Sequence, residues 1–187
     1  MSHLDHLIKT RRSVFPDVYN GKPIPEELIK KVLENGNWAP NHKMTEPWRF
    51  KVLQGDALIK LSEFLTKDYL ANTPPEAQSE VKLQKMKKNP LKAAAIIAIC
   101  MESHEKLLPQ WEELAAVACA VQNMWLTCTD NHIGCYWSTP SAIERMENLL
   151  QLPNDQTCIG LFYMGYSDII LPPGKRGPIE EKTQWMY

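Results

Sequence analysis

One α+β domain, with a central sheet covered by helices on both sides, is what this 187-residue sequence predicts. Three observations carry that prediction. Segments of helical period alternate with strand-like ones, but the strands come at irregular intervals rather than as repeated βαβ units. The run "AAAIIAICM" (93–101) is apolar without a break, as in a strand buried on both faces. The length suffices to bury one substantial core, and no internal repeat or low-complexity segment marks a second unit. Residues 1–187 therefore read as a single domain, with 168–187 as a C-terminal arm.

The elements follow in order. Leu4, Leu7 and Ile8 fall at helical spacing, which predicts a short amphipathic helix over 3–10 that runs into "TRRSV". "PIPEELIKKVLENG" predicts a second helix, with Pro25 in the first turn, Glu26 and Glu27 at the positive end of the dipole, and Gly36 as the stop. A crowded loop, "NWAPNHKMTEPWRF" (37–50), leads into the alternating strand "WRFKVLQ". "DALIKLSEFLTKDYL" is helical. Residues 72–80, "NTPPEAQSE", are polar and proline-containing and read as a mobile excursion. Lys82, Lys85, Lys87, Lys88 and Lys92 read as a solvated helix face. After the apolar strand, "PQWEELAAVACAVQNMWLTCTDN" predicts a long helix whose stretch from Leu114 to Cys128 carries no charge. Such a helix is apolar around its circumference and should be buried on all sides, against its own sheet and a second subunit. "IGCYW" and "TCIGLFYMGY" predict two further strands, separated by a helix over "SAIERMENLLQL".

Bulk composition narrows the function. Twenty-one basic against 22 acidic side chains give a net charge of −1, which disfavours nucleic acid or an anionic membrane as the main partner. Five cysteines and an N-terminus without an apolar h-region point to reduced thiols in a cytoplasmic protein. No apolar run approaches the roughly 20 residues of a membrane helix.

The usual protein-borne chemistries have no matching motif. Cysteines 100, 119, 128, 135 and 158 form no C-x-x-C pair, there is no H-E-x-x-H, and His3 and His6 cannot complete a metal site by themselves. No phosphate-cradling P-loop occurs, "GLFYMG" lacks dinucleotide-fingerprint spacing, and "GYSDI" lacks the second glycine of a nucleophile elbow. An enzyme of this sequence would rely on a cofactor.

Three segments remain. "RRS" (Arg11, Arg12, Ser13) places two guanidinium groups and a hydroxyl at a helix end, where they suit a terminal phosphate or simply favour the helix dipole. The loop between Pro40 and Pro47 is conformationally restricted, and its Asn41, His42 and Lys43 could hydrogen-bond a heterocycle. It is equally a surface loop with Trp38 and Trp48 tucked inward. "GCYWSTP" ends a strand with Trp137, Ser138 and Thr139, which could present donors to a ligand or cap a following helix.

In this order, "RRSV", "APNHKMTEPWRF" and "GCYWST" resemble the nitroreductase family of FMN-dependent oxidoreductases, and most closely its small, minimal members. The resemblance extends through "KKNPLKAAAIIAIC", "PQWEELAAVACAVQNMW" and "PPGKRGPIEEKTQW". It implies a homodimer of α+β subunits with a mixed or antiparallel sheet and an FMN site at each side of the subunit interface. By that resemblance Arg11, Arg12 and Ser13 hold the phosphate and ribityl end, with Lys175 and Arg176 as a further basic pair. Trp38 and His42 reach the flavin from the partner subunit, and Trp137, Ser138 and Thr139 border the isoalloxazine. NADH or NADPH is the implied hydride donor, and a nitroaromatic, quinone or similar small aromatic electrophile the acceptor, exchanged in ping-pong fashion. Pro140 follows Ser138 and Thr139 where close relatives carry an Arg and a Gly, so the rim is less basic here. A non-catalytic FMN-storage homodimer, and a structural dimer without cofactor, are the competing expectations.

Overall fold

The computed structural model describes residues 1–187. Four strands, β1 (Trp48–Leu53), β2 (Ala95–Glu102), β3 (Ile133–Ser138) and β4 (Gln156–Tyr166), form one sheet in the order β1-β2-β4-β3, with every neighbouring pair antiparallel. A bulge at Ile99/Cys100 lets Ile159 pass without a partner and shifts the β2–β4 register. β2 is buried from Ala95 to Met101, as its unbroken apolar run predicts, because helices cover both faces of the sheet.

On one face, α2 (Glu26–Asn37) and α5 (Gln110–Asp130) pack over Ile97, Ile99, Phe162, Met164 and Cys135. On the other, α3 (Asp56–Asn72), α4 (Glu80–Lys92) and the segment after β3 cover Ile96, Ala98, Leu161 and Tyr163. The short α1 (His3–Thr10) begins with a Ser2–Asp5 capping box and leans on α5 without burying any residue fully. The lysines of α4 lie on its outer side, apart from Lys92, which pairs with Asp17 at 2.6 Å. No helix is long and apolar enough to cross a membrane.

The structure departs from the sequence prediction in three places. The helix expected over 141–152 is a 3-10 turn (Ile143–Arg145) followed by the four-residue α6 (Glu147–Leu150). Arg145 is drawn into a bidentate pair with the buried carboxylate of Asp68, at 2.6 and 2.8 Å, and also bonds the Ser141 carbonyl, so a tertiary contact overrides local helical preference. The 72–80 connection is tied down rather than free. Gln78 Nε2 donates to the Thr73 and Leu70 carbonyls, and the Ser79 N–H donates to the Tyr69 hydroxyl at 2.7 Å. Finally, α5 is not buried on all sides in one subunit. Trp111 (68% exposed), Leu114, Ala115, Ala118, Cys119 and Gln122 form an uncovered, uncharged stripe at helical spacing.

Candidate functional site

The first half of the site grows from the end of α1. The Arg11 N–H closes the helix on the Leu7 carbonyl, and the backbone then extends, so that Ser13 bridges Cys135 in parallel and the Val14 N–H donates to the Cys135 carbonyl at 3.0 Å. The "RRS" segment is thereby laid along the free edge of β3. Arg11 stacks over the Trp125 ring at 4.6 Å, and Trp125 Nε1 donates to the Arg12 carbonyl at 3.2 Å. Arg12 donates through one terminal nitrogen to the Lys9 and Arg11 carbonyls, at 2.8 and 2.7 Å, while its Nε is buried with no partner. The C-terminal arm passes so close that a Cβ on Gly174 would strike the Arg12 guanidinium.

The electrostatics of this cluster are unbalanced. Burial, followed by repulsion from Arg176, lowers the Arg11 pKa, with a smaller like-charge contribution from Arg12. None of Arg11, Arg12, Lys175 and Arg176 forms an ion pair, although lysines and arginines elsewhere in the chain form six with carboxylates. The structure therefore brings Arg176 to the arginines predicted for the phosphate. Lys175 is exposed beside it, and its carbonyl accepts from Arg176.

The end of β3 lies on the same edge. Ser13 sits opposite Cys135, three residues before Ser138, which is about 10 Å along the strand. Because the Cys135 carbonyl points out of the sheet toward Val14, strand alternation also points the Trp137 N–H outward, and Thr139 continues the pattern. The Nε1 edge of the Trp137 indole lies against Gly160, and its Nε1 donates to the Ile159 carbonyl at 3.4 Å. Neither Ser138 nor Thr139 caps a helix: Pro140 opens a series of turns, and no side-chain cap is made. On the opposite face of β3, Phe15, Tyr136 and Tyr163 stack in succession, with centroids 4.8 and 5.0 Å apart.

The second half stands elsewhere. Trp38, 79% exposed, donates to Glu34 just beyond the end of α2. His42 Nδ1 lies 2.6 Å from Glu112, Lys43 Nζ donates to the Leu107 carbonyl, and Asn41 accepts from the Glu46 N–H. Trp48, in contrast, is buried and donates to Asn37. Lys43, Met44 and Glu46 all hold positive φ, at 52°, 54° and 42°, a strained conformation kept by these anchors. Loop rigidity thus rests on hydrogen bonds as well as on the two prolines. Glu112 and Trp125, the anchors of the two halves, are thirteen residues apart on α5, or about 20 Å along its axis. A single subunit does not bring His42 and Trp38 to the arginines.

Sequence reasoning missed Trp125, Gly174 and the Phe15–Tyr136 wall. Trp125 sits in an apolar helix stretch like any core residue, and only its two contacts to the arginine segment set it apart. The clefts follow the same division. One of about 570 Å³ lies beyond β2, lined by Ser103, His104, Lys106 and Asp155, whereas the arginine side offers only about 240 Å³, lined by residues including Arg12, Val14 and Leu171. The cationic cluster, not the 570 Å³ cleft, marks the site, because it sets guanidinium groups, one with a buried and unpartnered Nε, close together without an ion pair.

Fold and half-site together define an antiparallel α+β protein whose sheet edge gathers guanidinium groups suited to an anion. The chain belongs to the nitroreductase family: the sequence model of the Nitroreductase family matches residues 8–166. It is 25% identical to the provisionally named NAD(P)H nitroreductase YfhC of Bacillus subtilis, over 97% of this chain and 93% of that protein. The crystal structure of a nitroreductase-like family protein from Bacillus cereus superposes with a TM-score of 0.83 and 26% identity, covering 100% of this chain and 97% of the other. A nitroreductase with bound FMN from Bacteroides fragilis shares the fold at a TM-score of 0.74 and 22% identity, covering 95% and 96% of the two chains.

Proposed function

We propose that this protein is an FMN-dependent oxidoreductase that takes hydride from NADH or NADPH and reduces nitroaromatics, quinones or similar small aromatic electrophiles as a homodimer. The observation that carries the proposal is the cluster of Arg11, Arg12 and Arg176, three guanidinium groups gathered without a carboxylate and including a buried, unpartnered Nε. A terminal phosphate supplies the missing anion and the missing acceptor. The family to which the chain belongs, and the FMN held by its Bacteroides fragilis fold neighbour, support the choice of phosphate bearer.

Bound there, FMN supplies the hydride chemistry, and this chain's residues supply position and charge. Arg11, Arg12, Arg176 and Ser13 hold the phosphate end. The outward N–H groups of Trp137 and Thr139, with the Ser138 hydroxyl, border the flat ring system about 10 Å further along the strand edge. Lys175 adds positive charge at the entrance. Trp38 and His42 come from the second subunit. A two-fold axis crossing the uncovered stripe of α5 lays the Glu112 end of one helix beside the Trp125 end of the other, which closes the gap of about 20 Å. Donor and acceptor then occupy one aromatic-lined space in turn, and ping-pong kinetics follow.

The test is spectroscopic. The purified protein, reconstituted with FMN and made anaerobic, is mixed separately with NADH and NADPH. We expect its yellow colour to bleach with at least one donor and to return when a nitroaromatic or quinone is added. A yellow protein that neither donor bleaches would establish the storage homodimer instead, and failure to take up FMN would refute the cofactor assignment.

A further inference from the structure

Trp125 makes two separate contacts with the arginine segment. Its ring face carries the Arg11 guanidinium at 4.6 Å, and its indole N–H is bonded to the Arg12 carbonyl. The ring is itself fixed by an edge-on contact with the fully buried Phe162, at 5.5 Å between centroids and 80° between planes. The two arginines differ in what this leaves free. Arg12 has committed a terminal nitrogen to the Lys9 and Arg11 carbonyls, whereas Arg11 makes no side-chain hydrogen bond and is held only through its face. Stacking occupies the π-surface of a guanidinium and leaves its in-plane N–H groups available for an anion. Arg11 also sits where burial and the neighbouring Arg176 both disfavour its charge, so without a support its side chain would swing toward water.

From this geometry we infer that Trp125 is a positioning residue for phosphate recognition: it holds Arg11 beneath the phosphate through its ring and fixes the Arg12–Ser13 peptide through its N–H. The inference rests on the FMN assignment above and adds a specific consequence. Trp125 governs discrimination between FMN and riboflavin, which differ only in the phosphate, and leaves the grip on the ring system unchanged.

The experiment measures dissociation constants of full-length apoprotein for FMN and for riboflavin by quenching of flavin fluorescence, in the native protein and in Trp125→Leu, Trp125→Phe and Arg11→Gln. The native protein should prefer FMN strongly. Trp125→Leu removes both contacts and should weaken FMN binding roughly three- to thirtyfold, the range set by a cation–π contact passing from exposed to desolvated surroundings, with riboflavin affinity unchanged. Trp125→Phe keeps a ring beneath Arg11, folds with the least disturbance, and should fall between. In an Arg11→Gln background the ring has no guanidinium to carry, so Trp125→Leu and Trp125→Phe should lower the preference equally, through the lost N–H alone. An FMN-to-riboflavin ratio that is the same in both Trp125 variants as in the native protein would reduce Trp125 to a packing residue and overturn the inference while sparing the FMN assignment. Equal affinity of the native protein for the two flavins would instead overturn the phosphate cradle itself.

Discussion

Gly160 gives a direct measure of how tightly the strand-end wall is built. It lies within β4, paired with Ile99 of β2 on one side and one residue past the last β3 pair, Ser138 with Leu161, so its backbone has little room to retreat. A Cβ there would meet the Trp137 indole, 2.6 Å from Cδ1 and 2.7 Å from Cε2 and closest of all to Nε1. In Gly160→Ala the indole must therefore swing off the sheet and release its bond to the Ile159 carbonyl. Overpacking of this kind costs about 1–3 kcal/mol, and the lost hydrogen bond about 1 kcal/mol. For a chain of this length the sum of roughly 2–4 kcal/mol corresponds to a melting temperature about 5–15 °C lower. Calorimetry on Gly160→Ala, Trp137→Ala and the double variant separates the causes. With Trp137 truncated, Gly160→Ala should become nearly neutral, giving a coupling of about 2–4 kcal/mol in the cycle. An equal loss in both backgrounds, or a single-variant loss below about 0.5 kcal/mol, would refute the contact as the reason glycine is required.

Three further outcomes follow from other parts of the molecule. Ala118→Glu places carboxylates face to face in the proposed two-fold contact of α5, where opposed like charges cost several kcal/mol; sedimentation should show monomers with FMN affinity at least about tenfold weaker, and intact dimers would remove α5 from the interface. Glu113, 1% exposed, accepts from the His104 backbone N–H at 2.9 Å and lies 2.7 Å from the His104 ring. Glu113→Ala should therefore cost about 2–4 kcal/mol in denaturant unfolding, and a loss under about 1 kcal/mol would contradict its role as the anchor of α5. The Arg145 hydrogen bonds hold the Asp68 carboxyl below the usual carboxylate range despite its burial. A depressed folded pKa stabilises above the unfolded value of about 4 and loses that contribution as pH falls through the folded value. Asp68→Asn should accordingly be less stable than the native protein at neutral pH and converge with it below about pH 4; a gap of constant size across that range would disprove the linkage.

The architecture was legible where period and composition act locally. The β2 run and the acidic start of α2 each state an environment that the fold supplies, whereas the uncharged stretch of α5 keeps one side uncovered in the single subunit. What escaped was set by contacts distant in sequence. Nothing in "SAIERMENLLQL" announces that Arg145 will leave a helix for Asp68, seventy-seven residues away. The same holds at the site. "RRS" names its own chemistry, but Trp125 is separated by 113 residues from the carbonyl it fixes, and a tryptophan in an apolar helix looks like core. The proposed division of the site between subunits comes from the family resemblance alone, since no residue type records which subunit it serves.

Because α5 carries the platform for Arg11 near one end and the anchor for His42 near the other, it is the ruler of the composite site proposed above. Thirteen residues between Glu112 and Trp125 fix both a length and an angle. Removing one residue would shorten the rod by only about 1.5 Å but turn one anchor by about 100° relative to the other. The helix is thus tolerant of substitution and intolerant of small changes in length. Only insertions or deletions of about seven residues, two full turns, restore the phase, and those displace the halves by roughly 10 Å. A site of the proposed design can diversify through its loops and arms, but the helix between its two anchors must hold its count.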